Sequence, residues 1–215
     1  MLHLVEISVP TATVRAATRL VDPLVGVDMG YAVKTWMMAS DVDEIRPWAL
    51  VAEEAACRII GWARDVPDIR AAAVRYGFRE MALRIGEAVR LTGAIVPLRR
   101  SSFGGKKPRV ERDAAEGLND AEAAYRAWLV ERLVDVEPFA TVADATIDAI
   151  RHRRVMRKAE SRSRGDGRKI VREETIPVVT ASITIIPRDA EGVEAWLLRG
   201  VGPQKAFGYG GFFPC

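Results

Sequence analysis

A cluster of glycines near the C-terminus constrains the fold of this 215-residue chain more than any other feature. Residues 200–211 read Gly-Val-Gly-Pro-Gln-Lys-Ala-Phe-Gly-Tyr-Gly-Gly. Glycine allows positive φ and lets the backbone approach a ligand closely, and successive free N–H groups in such a loop can surround an anion. Lys205 adds a point charge suited to phosphate. The stretch predicts either an anion-binding loop or a plain glycine-rich turn, followed in both cases by a final strand over 206–213.

The first 86 residues alternate between strand and helix patterns. The hydrophobic spacing predicts strands at 2–9, 47–53, 57–63 and 78–85, and helices at 11–20, 28–39 and 66–74. With the two helical segments between the first and second strands counted as one helical connection, the order is strand, helix, strand, strand, helix, strand. This is the βαββαβ pattern of a ferredoxin-like fold.

A similar order is repeated in the second half of the chain. Strands are predicted at 89–98 and 178–186, and helices at 120–134 after Asn119, at 139–159, and at 191–199 after Asp189. The 139–159 segment is apolar and acidic at first and then almost entirely basic, which predicts a basic helical insertion. We therefore predict an α+β protein of two tandem ferredoxin-like (RRM-like) domains, 1–87 and 88–215.

Positive charge is concentrated in two stretches. Residues 99–112 carry six basic residues and one acidic residue, and residues 151–172 carry ten basic residues and two acidic ones. These stretches sum to +13 in a chain whose formal charge is +3, so the remainder sums to −10. Such an asymmetry predicts a localised surface for a polyanion. Solvated loops that are merely basic are the alternative.

Composition also limits the class of protein. A hydrophobic content of 49% is enough for a globular core, and no apolar run approaches the roughly 20 residues of a membrane span. The chain starts with strand-like alternation, which does not resemble a signal peptide. Cys57 and Cys215 show no metal-ligand spacing and fit thiols in a reducing cytoplasm. These features predict a cytoplasmic protein without a metal or other cofactor.

The glycine-rich stretch and its surroundings resemble the signature loop of the CRISPR repeat-processing endoribonucleases. A strong strand is followed by a helix that ends Leu-Leu-Arg-Gly and then by the loop itself, while the 89–100 strand and the helix around Trp128 add to the likeness. That family consists of tandem ferredoxin-like proteins of the RAMP superfamily. The likeness is greatest to the forms found in type I-E and type IV effector complexes.

The resemblance implies a specific reaction. These enzymes cleave CRISPR repeat RNA at the base of a hairpin without a metal ion, by attack of a 2′-OH that leaves a 2′,3′-cyclic phosphate. They often remain bound to the 3′ handle of the mature crRNA as a subunit of an effector complex. The expected partners are therefore the crRNA hairpin and other subunits of a type I-E or type IV complex, with no membrane involved.

One position departs from the family pattern. The family usually has a Tyr followed three residues later by a His in a helix of the first domain, and the matching residues here are Tyr31 and Lys34. Without the histidine, we predict that Lys34, Arg19 and Lys205 orient the 2′-OH and neutralise the phosphorane, with Tyr31 as a hydrogen-bonding partner. A general acid–base group contributes about 10²–10⁴-fold, so we predict a slow or single-turnover enzyme.

The predicted RNA-binding residues come from the two basic stretches and from the glycine-rich loop. In the second stretch, helical spacing would place three cations along one face of a basic finger against the RNA stem. The full set is Arg99, Arg100, Lys106, Lys107, Arg109, Arg151, His152, Arg153, Arg154, Arg157, Lys158, Gly202, Gln204 and Gly208.

Three other functions remain open from the sequence. A structural RNA-binding protein of the ribosomal type would explain the basic stretches but not the specific glycine-rich loop. The missing histidine favours a catalytically weak or inactive subunit of the same fold that only binds the crRNA hairpin. A nucleotide-binding enzyme could use the glycine-rich stretch as a phosphate loop, although here the stretch follows a helix and enters a strand. That order is the reverse of a P-loop.

Overall fold

The computed structural model describes residues 2–21, 28–42, 44–53, 55–65, 75–101, 110–160 and 169–214. Within these ranges, the side chains at 18–21, 52–53, 100–101, 110–111, 156–160 and 169–172 are outside the description. The elements in chain order are β1 His3–Pro10, α1 Thr11–Val21, α2 Met29–Ala39, β2 Trp48–Glu53, β3 Ala56–Ala63, β4 Arg75–Glu80, β5 Val89–Ile95, β6 Leu98–Ser101, β7 Val110–Asp113, α3 Ala121–Leu133, β8 Ala140–Glu160, β9 Lys169–Pro187, α4 Ala190–Arg199 and β10 Phe212–Pro214.

The first half of the chain forms an antiparallel sheet in the order β2-β3-β1-β4. Alternate residues of β1, namely Val5, Ile7 and Val9, are buried in one cluster with the apolar face of α2. The helix begins after Asp28, whose carboxylate accepts hydrogen bonds from the N–H groups of Gly30 and Tyr31. The cap satisfies backbone donors that the first helical turn leaves unpaired.

The second half forms a sheet in the order β10-β5-β9-β8. When only the four strands of this sheet are numbered, the order is fourth, first, third, second, the same as that of the first sheet read from β4 to β2. The helix α3 lies between the first and second of these strands in sequence, and α4 lies between the third and fourth. The predicted fold class, two tandem ferredoxin-like units, is confirmed. The boundary between 1–87 and 88–215 stays a prediction.

The prediction of a basic helical insertion at 139–159 is wrong. Residues 140–160 form the strand β8, which pairs along its whole length with β9 in one long antiparallel hairpin. Arg151 lies opposite Val178 and Arg154 lies opposite Thr175. Since successive residues of a strand point to opposite faces, Arg151 and Arg154 lie on different faces of the hairpin rather than on one helical face.

Two β-bulges explain why this strand has the spacing of a helix. The residues that indicated a helix, Val142, Ala145, Ile147 and Ile150, pair with Ile185, Ile183, Ala181 and Val179 on one face of the sheet. The register shifts between Val142 and Asp144 and again between Ile147 and Ala149. Each bulge inserts one extra residue, so an apolar spacing of two becomes three and imitates the helical period.

The remaining differences are at element ends. The predicted strand 78–85 is displaced to β4, residues 75–80, and α3 is capped by Asp120 rather than by Asn119. The final strand is only β10, residues 212–214, because a 3₁₀ turn occupies Lys205–Phe207. The predicted helix 66–74 lies outside the described residues. Among the helices that the structure describes, none is long and apolar enough to cross a membrane.

Aromatic side chains join the two sheets. Trp62 on β3 is fully buried, and its indole Nε1 donates a hydrogen bond of 2.9 Å to the carbonyl oxygen of Phe212 on β10. The Trp62 ring also stacks on Phe213 at a centroid distance of 5.6 Å, while Phe212 stacks on Trp196 of α4. One hydrophobic cluster therefore contains residues of both halves.

We predict that Trp62→Phe destabilises the protein. The change removes the N–H donor and leaves a buried carbonyl without its partner, which costs about 1–3 kcal/mol. Urea unfolding should show this loss as a lower free energy of unfolding. The control is Ile85→Ala, because Ile85 is 68% exposed and its truncation should stay within about 0.5 kcal/mol. Equal stability of Trp62→Phe and the wild type would contradict this role for the indole.

Candidate active site

The glycine-rich loop, residues 200–211, lies between tryptophans from the two halves of the chain. Gly208 has φ +85°, and a Cβ at this position would lie 2.5 Å from the ring of Trp48 on β2. Gly202 has φ +75°, and a Cβ there would lie 2.6 Å from the ring of Trp128 on α3. Both positions therefore need glycine for conformation and for space. The loop therefore makes more specific contacts than the plain glycine-rich turn that the sequence left open as an alternative.

The loop places Phe207 against the helix α2. The Phe207 ring stacks on Tyr31 at a centroid distance of 6.4 Å and an interplanar angle of 19°. The Nζ of Lys34 lies 5.0 Å from the centroid of the same ring. Because Tyr31 and Lys34 are three residues apart on one helical face, a single aromatic ring contacts both predicted catalytic side chains. All three side chains are partly exposed.

The approach of loop and helix is close at the backbone as well. A Cβ at Gly30 would lie 2.8 Å from the carbonyl oxygen of Phe207. Glycine at this position therefore lets the first turn of α2 touch the loop, and the Asp28 cap fixes where that turn begins. The positions of Tyr31 and Lys34 follow from these two local features.

A third element, the hairpin of β8 and β9, reaches the same place through Arg153. The guanidinium of Arg153 interacts with the hydroxyl of Tyr209 in the loop. Burial raises the pKa of Tyr209, and the negative charge of Asp28 adds to that rise, whereas the positive charge of Arg153 and its interaction with the hydroxyl oppose it. Asp28, Arg153 and Tyr209 thus bring the start of α2, the basic hairpin and the loop together.

Lys205 lies on the other side of the loop. Its Nζ donates a hydrogen bond of 2.7 Å to the carbonyl oxygen of Arg199 at the end of α4. Its methylenes pack beside the Cα atoms of Gly200 and Gly210. Burial lowers the pKa of Lys205, and the positive charge of Arg199 lowers it further. Lys205 therefore contacts the base of the loop, whereas Phe207 contacts Tyr31 and Lys34.

Several predicted RNA-binding residues contact acidic side chains elsewhere. Arg99 on β6 pairs with Glu131 of α3 at 3.6 Å. His152 Nε2 lies 4.0 Å from an oxygen of Asp113 on β7. A third exposed pair, between Arg154 and Glu173, lies along the hairpin with an N–O distance of 3.4 Å. Exposed pairs contribute little to stability, so Arg99 and Arg154 remain able to exchange a carboxylate for a phosphate.

Other predicted residues have no described environment. Arg19 is in α1, Arg100 is in β6, and Arg157 and Lys158 are in β8, but their side chains are outside the description. Lys106, Lys107 and Arg109 lie entirely outside the described residues. Gln204 adopts φ +66° at the start of the 3₁₀ turn. The roles of all these residues in RNA binding or catalysis stay predictions.

Three residues of this region have no functional role in the predictions from sequence. The predicted final strand, 206–213, contains Phe207 and Tyr209, and Asp28 is only the predicted start of a helix. The available signal is their placement: the two aromatics flank Gly208, in a loop for which the sequence leaves anion binding open. A partly exposed aromatic residue in such a loop is a candidate contact.

The chain contains two ferredoxin-like units, a glycine-rich loop that contacts both of them, and a hairpin with basic residues beside that loop. It is therefore an α+β protein of the tandem ferredoxin-like class. The family is shown directly: a family model described as CRISPR associated protein matches residues 68–210. The chain therefore belongs to the CRISPR-associated protein family. No curated protein matches the sequence.

Solved structures agree with this fold over the whole chain. CRISPR endoribonuclease Cse3 bound to 19 nt RNA superposes with a TM-score of 0.62 at 19% identity, covering 99% of both chains. Cas6e from Escherichia coli K-12 gives a TM-score of 0.60 at 16% identity, covering 99% of this chain and 100% of its own. Thermus thermophilus Cse3 with an RNA representing a pre-cleavage complex gives 0.58 at 19% identity, covering 100% and 98%.

Substitutions of glycine by alanine separate two requirements of the loop, a positive φ and the lack of space for a Cβ atom. Gly208→Ala should lose about 2–5 kcal/mol of stability, because it combines left-handed strain with overpacking against Trp48. Gly86→Ala should lose only about 1–2 kcal/mol, since Gly86 has φ +81° but open space around it. Chemical denaturation measures both values.

Gly77→Ala is the matched control. Gly77 is on β4 with neither a positive φ nor an atom within 4 Å of a new Cβ. Alanine there should leave stability unchanged or raise it slightly. If Gly208→Ala were no worse than Gly86→Ala, the close contact with Trp48 would not matter for the loop.

Proposed function

We propose that this protein is a CRISPR repeat-processing endoribonuclease that cleaves at the base of an RNA hairpin and retains the product. The observation that carries the proposal is the meeting of three elements: Tyr31 and Lys34 on α2, Phe207 in the glycine-rich loop, and Arg153 on the basic hairpin. Family membership supports the same function, as does the fold shared with RNA-bound Cse3 endoribonucleases.

The chemistry requires a charged phosphate to become a more highly charged phosphorane. The 2′-oxygen attacks the adjacent phosphorus, the bond to the 5′-oxygen breaks, and a 2′,3′-cyclic phosphate and a 5′-OH result. Lys34 places an ammonium where it can neutralise the developing charge, and the Tyr31 hydroxyl can donate a hydrogen bond to a phosphate oxygen. The proton of the 2′-OH passes to solvent, and the leaving 5′-oxygen gains one.

The basic hairpin is the proposed surface for the RNA stem. Arg151 and Arg153 lie on the same face of the hairpin, the face on which Arg153 reaches the glycine-rich loop. His152 and Arg154 lie on the opposite face. Phosphate contacts from such cations fix the position of a nucleic acid without reading its sequence. The strand geometry spreads them along both faces of a ribbon, in place of the single helical face that the sequence predicted.

We also propose that the protein works as a subunit of a CRISPR effector complex. One structural match, with a TM-score of 0.55 at 14% identity and coverage of 99% and 100%, is a CRISPR RNA-guided surveillance complex. An enzyme that keeps its product needs only one turnover per RNA. Slow catalysis by cations alone is compatible with that role.

The second candidate function is RNA binding without cleavage. Lys34 occupies the position where the family pattern has a histidine, and lysine side chains hold their proton near neutral pH. A lysine there supplies charge but not a ready general base. The same fold and the same basic hairpin would then serve only to hold the crRNA hairpin in its complex.

Cleavage in the presence of EDTA tests the proposal. Purified full-length protein is incubated in excess over a labelled repeat hairpin, and the products are separated by electrophoresis. We expect a single cut at the base of the stem whose product carries a 2′,3′-cyclic phosphate. Tight binding with an intact RNA would support the second candidate function, and absence of binding would exclude both.

Variants of Lys34 and Phe207 test the geometry of the site. Lys34→Ala should slow single-turnover cleavage about 10²-fold, the usual effect of losing one charge-stabilising group. Phe207→Ala should slow it about fivefold, because it removes a cation–π contact worth about 1 kcal/mol. Phe207→Tyr keeps the ring and should restore the rate. Hairpin affinity, measured separately, should change much less than the rate in all three.

Arg84→Ala is the control for nonspecific loss of charge. Arg84 is exposed and pairs only loosely with Glu87 at 3.4 Å, so both rate and affinity should match the wild type. A Lys34→Ala enzyme that cleaves at the wild-type rate would remove Lys34 from the reaction. Failure of Phe207→Tyr to restore the rate would remove the aromatic ring from its positioning role.

A further inference from the structure

A cavity of about 430 Å³ lies on the side of the glycine-rich loop that faces away from Phe207. The last turns of α3 and α4 and the backbone of residues 200–203 form its walls. Its volume is within the range of small-molecule sites, about 300–1,000 Å³, and far exceeds what one water or inorganic ion needs. The loop thus has two separate surfaces, the α2 side and this cavity.

The charged lining of the cavity is predominantly positive. Arg132, Arg199 and Lys205 line it together with a single carboxylate, Asp135, which pairs with Arg199 at 3.2 Å. These four groups carry a formal charge of +2 when ionised. Arg132, Arg199 and Asp135 are exposed, so solvent screens these charges, but the net positive lining still favours an anion over a cation.

The three cations are held in place by different contacts. The guanidinium of Arg132 lies over the ring of Trp128, 5.5 Å from its centroid. Arg199 forms an exposed pair with Asp135, and Arg132 also lies 3.9 Å from a carboxylate oxygen of Glu131. Lys205 is held by its hydrogen bond to the Arg199 carbonyl. Burial lowers the pKa of Lys205, and the positive charge of Arg199 lowers it further. The three cations therefore share one surface of the loop, and a backbone carbonyl positions Lys205 there.

The remaining lining is partly apolar. Leu98, Trp196, Val201 and Pro203 contribute apolar surface, and the backbone of Gly200 and Gly202 completes the walls. A bare phosphate would not use these surfaces, whereas a nucleotide presents an apolar base face and a sugar beside its phosphate. The combination of clustered cations with apolar walls therefore favours a nucleotide unit over an inorganic ion.

We propose that this cavity binds one unpaired nucleotide of the RNA strand that flanks the hairpin, with its phosphate between Arg132 and Lys205. The assignment rests on the proposed function. Lys205 and Phe207 are two residues apart, about 7 Å at full extension, so one strand can reach both sides of the loop. The cavity then fixes the flanking strand and so helps to set which phosphate lies beside Lys34.

Two RNAs test the assignment with full-length protein. One is the hairpin ending at the base of its stem, and the other carries a five-nucleotide unpaired extension. A 2′-deoxy nucleotide at the cleavage position keeps both intact. We expect the wild type to bind the extended RNA about tenfold more tightly, and Arg132→Gln to lose most of that difference while binding the blunt hairpin normally. The salt dependence of the extended complex should also become shallower, by about one phosphate contact.

Matched variants make the result specific. Arg126→Gln removes a cation from the exposed face of the same helix and should keep the tenfold difference. Arg132→Lys keeps the charge but loses the stacking of the guanidinium on Trp128. It should retain most of the difference in affinity between the two RNAs, which would show that a substitution at this position leaves the site folded. If Arg132→Gln binds both RNAs like the wild type, or if the wild type does not distinguish them, the assignment is overturned.

Two further measurements separate this proposal from the proposed function. The extension alone is titrated at high concentration, so that the cavity is tested even if the hairpin does not bind. Binding that depends on Arg132 supports the cavity, and absence of such binding in both formats overturns it. Inorganic phosphate is added as a competitor in the same assay. Competition by phosphate at the same concentration as the oligoribonucleotide would overturn the assignment to unpaired RNA.

Discussion

Close packing of one glycine-rich loop between two tryptophans is the constraint on which the rest of the site depends. Trp48 belongs to the first sheet and Trp128 to the helix behind the second, and each leaves no room for a side chain at the glycine it meets. The loop is therefore positioned by both halves of the molecule at once. Phe207, a partly exposed ring of the loop, is thereby placed against α2, where it contacts Tyr31 and Lys34.

Most of the fold could be predicted because local patterns and global topology agree. Alternation in β1 and β9, the Asp189 cap of α4, and the paired strands β2 and β3 all follow from short-range rules. The exception is β8. Its apolar residues are spaced by three at two bulges, and bulges depend on pairing with a distant strand rather than on local sequence. The sequence alone could not distinguish this from a helix.

The site was less predictable because it is built from contacts between distant parts of the chain. Tyr31 and Lys34 were identified by likeness to a family, but their common partner, Phe207, lies at the opposite end of the sequence. Lys205 was placed with them on charge alone. The direction of its side chain depends on the carbonyl of Arg199, and no sequence pattern reports that hydrogen bond. Composition predicts which charges are present, while packing decides which of them share a surface.

The long hairpin has an evolutionary consequence. Residues 179–185 of β9 pair with β5 on one side and β8 on the other, but from Arg151 and Val178 outward the described ladder joins only β8 to β9. Exposed substitutions away from a packed core change stability little. The exposed residues 151–154 of this ribbon can therefore change without disturbing either sheet, whereas Val155, Ile176 and Val178 are buried in a small core cluster against which Tyr209 packs. The surface that we propose for RNA can thus diverge at these exposed positions while the scaffold and the glycine-rich loop stay the same.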